Sequence, residues 1–152
     1  ELAVAAAQKL GFKLKIAGVP AGYYTEYKKL SEIAGKNVEF LGYVSDKELA
    51  KLYKGAKAFL ALATDEDFGM APVEAMLAGT PVIAFRGGGY IESVIDGRTG
   101  IFFNEPTVES LVEAIKQFNH LAIQPSDCIN QAKKFSKEKF KREMLKFIQN
   151  HA

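Results

Sequence analysis

The sequence predicts an α/β domain: a Rossmann-like, doubly wound parallel sheet with helices on both faces. Three observations predict it. Strand-like and helix-like segments alternate along the chain without a break in the pattern. The strand candidates, Ala58–Ala63 and Pro81–Phe85 among them, are continuously apolar, as strands buried on both faces are. Most helical stretches also carry their own start or stop signals. Crossovers between such parallel strands are expected to be right-handed.

The elements follow in order. Leu2–Leu10 is a helical run stopped by Gly11, and Lys13–Ala17 a strand that leads into the loop Gly18–Gly22. Tyr23–Ala34 reads as a helix closed by Gly35, and Val38–Gly42 as a strand. Ser45 and Glu48 form a capping box that opens a helix to Tyr53 or Lys54. After the Ala58–Ala63 strand comes a polar loop. A helix Pro72–Ala78, stopped at Gly79, and the strand Pro81–Phe85 follow it. Gly87, Gly88 and Gly89 open a short helix to Ile95; Asp96–Gly100 is a turn and Ile101–Phe103 a short strand. Thr107 caps a helix to about Phe118, and helical stretches near Ser126–Phe135 and Ser136–Asn150 complete the chain.

A length of 152 residues suits one domain with a sizeable core. Its 48% apolar and 25% charged residues are ordinary for a globular chain. A net charge of +2, without a dense basic patch interleaved with aromatics, gives no reason to expect nucleic acid. Cys128 is alone, which fits a reducing, cytoplasmic setting. The apolar runs fall far short of the ~20 residues a membrane span needs, and no signal peptide is visible. The chain opens on Glu1 inside a helical pattern, so it reads as a piece of a larger fold.

Chemistry concentrates at Leu62–Met76, where a strand, a glycine-bearing loop and a helix start meet. The first N–H groups of a helix lack internal partners and carry positive potential, which suits an anion. Glu66 and Glu74 border the same place. A carboxylate repels phosphate but accepts two hydrogen bonds from a vicinal diol, each worth roughly 1.5–3 kcal/mol. Hydroxyl groups on either side of a diphosphate are what a nucleotide-sugar presents. In a doubly wound sheet the ligand lies outside the carboxyl ends of the strands, which here are the loops at Gly18–Gly22, Tyr43–Ser45, Thr64–Gly69 and Arg86–Gly89.

These residues also carry a family resemblance. Glu66-x7-Glu74, within E-D-F-G-M-A-P-V-E-A-M-L-A-G-T-P-V-I-A, resembles the E-x7-E signature of retaining GT-B glycosyltransferases, family 4 (group 1). Gly88-Gly89-Tyr90-Ile91-Glu92 resembles that family's G-G-x-x-E segment, and Asp96-Gly97-Arg98-Thr99-Gly100 its D-G-x-T-G turn. Phe40–Ser45 is similar to its F-x-G-x-V segment. The resemblance covers nearly the whole chain and implies the C-terminal, donor-binding half of the fold. It implies that Glu66 holds the donor sugar and Glu74 the ribose. The loop Asp67, Phe68, Gly69 and Met70 would turn backbone amides toward sugar and diphosphate, and the backbone near Val44 and Gly18 would meet the base. The Phe102–Leu111 run looks mannosyltransferase-like, which points to GDP-mannose ahead of a UDP-sugar.

In that family the phosphate-binding Arg and Lys follow the domain's first strand, expected here before Glu1. The resemblance therefore implies that this piece binds weakly and is inactive alone. The missing N-terminal domain would bring the acceptor, a glycan or glycolipid. The nucleotide-sugar is then a substrate, and neither a cofactor nor a metal is expected. A non-catalytic nucleotide-sugar-binding subunit of a split transferase is the alternative.

Arg86, just before the glycine run, offers a cation to a phosphate. The glycines at 87–89 lack the G-x-G-x-x-G spacing, so nicotinamide chemistry is not indicated. His120 and His151 have polar surroundings and no ligand partners nearby. The basic, amphipathic run from Lys133 to Arg142, with Phe140, Met144, Leu145, Phe147 and Ile148 beyond, fits a terminal packing helix. It also fits peripheral contact with an anionic membrane.

Overall fold

The computed structural model describes residues 1–20, 22 and 24–151. The predicted helix start at Tyr23, and Ala21 of the predicted loop, lie outside the described residues. The order is α1 (Leu2–Leu10), β1 (Leu14–Ala17), α2 (Tyr24–Ile33), β2 (Val38–Gly42), α3 (Asp46–Gly55), β3 (Phe59–Ala61) and α4 (Met70–Leu77). There follow β4 (Val82–Phe85), α5 (Tyr90–Ser93), β5 (Gly100–Phe103), α6 (Val108–Phe118), α7 (Pro125–Ala132), a 3-10 turn at Lys133–Phe135, and α8 (Lys137–His151). All strand pairs among the described residues are parallel.

The strands divide into two sheets, β1-β2 and β3-β4-β5. The larger one is covered on both faces, as continuously apolar strands require. Val82, Ala84 and Phe102 point into a core shared with Val73 and Met76 of α4 and Cys128 and Ala132 of α7. Ile83 and Phe103 point the other way, against Ala6 of α1 and Leu111, Val112 and Ile115 of α6. Val82 and Met76 are fully buried, which places the centre of the fold at β4.

The smaller sheet departs from expectation. Leu14, Lys15, Ile16 and Ala17 alternate half-buried and exposed, so β1 is covered on one side only. Lys15 and Glu39, register partners on the open side, pair at 3.5 Å. The covered side packs edge to face through Phe40 and Tyr27 of α2, 5.1 Å between centroids. The KLKIA pattern already holds this alternation in Lys13 and Lys15.

Local capping is as the residues dictate. Glu48 N–H donates to Ser45 Oγ at 3.4 Å, and Ser45 N–H donates to Glu48 Oε2 at 2.9 Å, the reciprocal box at the start of α3. The Ser45 hydroxyl, which donates to the same Oε2 at 2.7 Å, and then the Ser45 N–H hold the Glu48 carboxyl below its ordinary range. Thr107 Oγ1 accepts from Ser110 N–H at 3.2 Å to start α6. The helix after β3 differs from expectation: it begins at Met70, two residues before Pro72, with Gly69 as its N-cap. Pro72 stands third, still among the first four positions whose N–H groups have no helical acceptor, so its missing donor costs little there.

Candidate functional site

The candidate site lies at the carboxyl end of β3, where residues 62–69 lead into α4. Glu66 is half-buried in that loop, and Glu74 is exposed on the second turn of α4. Between them the N–H groups of Phe68, Gly69 and Met70 donate to no partner among the described residues. Three consecutive free donors lead into the start of an eight-residue helix, whose positive end suits an anion. Asp67 and Met70 have exposed side chains, while Phe68 packs inward, edge to face with Phe135 at 5.4 Å.

A second loop shapes the first. Gly89 N–H donates to the Glu66 carbonyl at 2.8 Å. A Cβ on Gly88 would lie 2.2 Å from that carbonyl oxygen, and one on Gly89 would lie 2.2 Å from Phe68 Cα. The glycine run therefore serves close approach of backbone to backbone. Gly69, at φ +80°, adopts a left-handed conformation that a side chain resists, and its α-carbon sits against the ring of Tyr90.

Two tyrosines that the sequence reading passed over stand near the two glutamates, and one of them hydrogen-bonds to its neighbour. Tyr53, in the last turn of α3, is 9% exposed, and its hydroxyl donates to Glu74 Oε2 at 3.4 Å. Burial pushes its phenol up to about 12, with the charge of Glu74 adding to the shift. Tyr90, 4% exposed at the start of α5, is likewise raised by burial and then by the charge of Glu66. The signal for Tyr90 was an aromatic ring directly after three glycines; for Tyr53 it was a tyrosine on the apolar stripe of α3.

The other expected residues fall as follows. Gly18 and Val44 lie at the carboxyl ends of β1 and β2, and Gly18 N–H donates to the Gly42 carbonyl at 2.8 Å. No hydrogen bond or ion pair among the described residues joins them to Glu66 or Glu74. Arg86, expected to face a phosphate, is engaged elsewhere. Its Nη2 pairs with Asp96 Oδ2 at 2.5 Å, its Nε donates to Asn104 at 2.9 Å, and its guanidinium lies 4.5 Å from the Phe102 ring centre. It ties the end of β4 to the turn before β5. Among the described residues no three His, Cys, Asp or Glu converge as metal ligands, and no helix is long and apolar enough to cross a membrane.

With this geometry in place, comparison with known proteins is specific. The family model "Glycosyl transferases group 1" matches residues 2–135. The chain is 31% identical over 133 residues to the mouse alpha-1,3/1,6-mannosyltransferase ALG2, covering 83% of this chain and 32% of that protein. It is 37% identical over 130 residues to a probable sucrose-phosphate synthase of Thermosipho melanesiensis, covering 82% of this chain and 28% of that one. Among solved structures, Anabaena Alr3699/HepE in complex with UDP-glucose superposes with a TM-score of 0.82 at 21% identity, over 97% of this chain and 44% of that one. A sucrose-phosphate synthase from Thermosynechococcus elongatus gives 0.84 at 23% identity, over 98% and 41%. This chain thus spans about a third of the length of such sequence relatives and under half of the structural ones. With the group 1 model spanning both glutamates and most of the chain, the chain belongs to the group 1 glycosyltransferases.

Proposed function

We propose that this chain is the donor-binding half of a retaining glycosyltransferase, which moves a hexose from a nucleotide-diphosphate sugar to an acceptor hydroxyl. The observation that carries it is the convergence after β3, where three free N–H groups lie between two carboxylates. The diphosphate belongs at the N–H groups and the positive end of α4, because a developing phosphate charge needs donors already in place. The carboxylates repel phosphate and so belong on its flanks. Glu66 takes the sugar hydroxyls and Glu74 the ribose diol, while the backbone at Val44 and Gly18 takes the base. Arg86 serves as a structural tie in this arrangement, leaving cations for the phosphates to other parts of the protein.

In the reaction the bond from the anomeric carbon to the phosphate oxygen breaks. A bond from that carbon to the acceptor oxygen forms on the same face. The acceptor proton passes to the departing phosphate oxygen, so a nucleoside diphosphate and a glycoside result. Glu66 acts by orienting the sugar and not as a base. The acceptor, a glycan or glycolipid, would be held outside this chain, which fits the greater length of the relatives. Mannose is supported by similarity to a mannosyltransferase, and a UDP-sugar by similarity to a protein crystallised with UDP-glucose.

Calorimetric titration with GDP, UDP, ADP, GDP-mannose and UDP-N-acetylglucosamine tests this. Binding of one nucleotide series, weakened by Glu74→Ala, is the expected outcome and names the base. Binding of none of the five, by this chain and by the full-length protein alike, overturns the donor site.

A further inference from the structure

We propose that Tyr53 is a positioning residue that fixes the site carboxylate of Glu74 before the ligand arrives. The inference rests on the donor-site reading above and adds to it the means by which Glu74 is oriented.

Tyr53 is well placed for this. Its ring packs edge to face on Phe59, 5.6 Å between centroids and at 81°, so the phenol does not swing. Its hydroxyl reaches Glu74 Oε2, and its own carbonyl accepts from Thr80 Oγ1, a buried residue just past α4. One residue of α3 thus grips α4 both at Glu74 and beyond its C-terminal end.

Glu74 is exposed, and a free glutamate has many rotamers to lose on binding. A phenol that spends its one proton on a carboxylate oxygen selects a rotamer in advance. The second oxygen, and the remaining lone pair of the first, stay open to a diol. Burial and the charge of Glu74 push the Tyr53 phenol up to about 12, so it remains a donor throughout the physiological range.

The experiment is a double-mutant cycle of Tyr53→Phe with Glu74→Ala, read by titration with GDP-mannose and UDP-glucose and by thermal unfolding. Tyr53→Phe keeps the ring, so the melting temperature is expected to stay close to the parent. Affinity is expected to fall roughly fivefold, the scale of one hydrogen bond, and by nothing further in the Glu74→Ala background. Unchanged affinity in Tyr53→Phe beside a weakened Glu74→Ala overturns positioning while leaving the donor site intact. No loss in Glu74→Ala removes the ribose role of Glu74 and the proposal with it. An equal loss from Tyr53→Phe in both backgrounds shows that the phenol acts without Glu74, which also overturns it. Should Tyr53→Phe not fold, the parent and Glu74→Gln are compared with tyrosine labelled at the ζ carbon. The Tyr53 resonance is expected to titrate at lower pH in Glu74→Gln, and coincident titrations reject the pair.

Discussion

The amide of Gly89 donates to the carbonyl of Glu66 at 2.8 Å, so the loop after β4 is bolted to the loop that carries the site. The two backbones leave no room for a side chain between them. A methyl group at Gly89 would sit 2.2 Å from Phe68 Cα and 2.6 Å from the Asp67 carbonyl oxygen, both backbone atoms.

Gly89→Ala is therefore expected to destabilise the chain by about 1–3 kcal/mol, the range for forced overpacking. It should also lower nucleotide affinity, because the Phe68–Met70 amides move with the loop. Gly55→Ala is the control. That glycine ends α3 without a left-handed φ and with nothing within 4 Å, so the change should stabilise by roughly 0.5–1 kcal/mol. Chemical denaturation of the two variants checks both signs.

Glu74→Ala is expected to cost roughly 1.5–3 kcal/mol of nucleotide affinity, the value of a charged hydrogen bond. Circular dichroism should be unchanged, because the side chain is exposed and packs into no core. Calorimetry on parent and variant gives the number. Equal affinities would take the ribose role away from Glu74.

Alkaline pH should weaken the fold in two overlapping windows. Burial, with the charge of Asp127, raises the Cys128 thiol from 9.0 to about 11, and burial with Glu74 raises Tyr53 from 10.0 to about 12. In each case the native state keeps a proton that the unfolded chain has lost, so stability falls as pH rises between the two values. The steepest loss is about 1.4 kcal/mol per pH unit for each group. Urea midpoints measured from pH 8 to 12 should therefore begin to drop near 9, and in Cys128→Ala only near 10.

The same burial makes Cys128 inert. It is fully buried with a raised pKa, so Ellman's reagent should modify it only after unfolding. Rapid modification of the native chain would contradict its place between α7 and β5.

Helix α8 should be dispensable to this domain. No residue of it is buried, and Phe140, Leu145 and Phe147 are each about 60% exposed. Removing residues 137–152 is expected to change unfolding free energy by less than about 1 kcal/mol. A large loss would mean that its apolar side packs on the body of the protein.

Much of this was legible in the sequence because it is local. Helix caps at Ser45 and Thr107, the alternation of strand and helix, and the eight-residue step from Glu66 to Glu74 all lie within a turn or two of chain. The apolar run Val82–Phe85 announced a strand covered twice, and Lys13 and Lys15 held the hint, read too generously, that β1 is covered once. Other features required the fold. Arg86 carries a charge that suits a phosphate, yet Asp96 and Asn104 claim it, and only the parallel alignment of β4 and β5 brings them to it. Tyr53 and Glu74 are 21 residues apart and lie on different helices. The sequence by itself determined which residue types stand at the ends of the strands, because backbone propensity and hydrophobic period act over short range. Which of them touch was decided by tertiary packing, because a hydrogen bond forms only where two surfaces close over it and exclude the water that would otherwise compete.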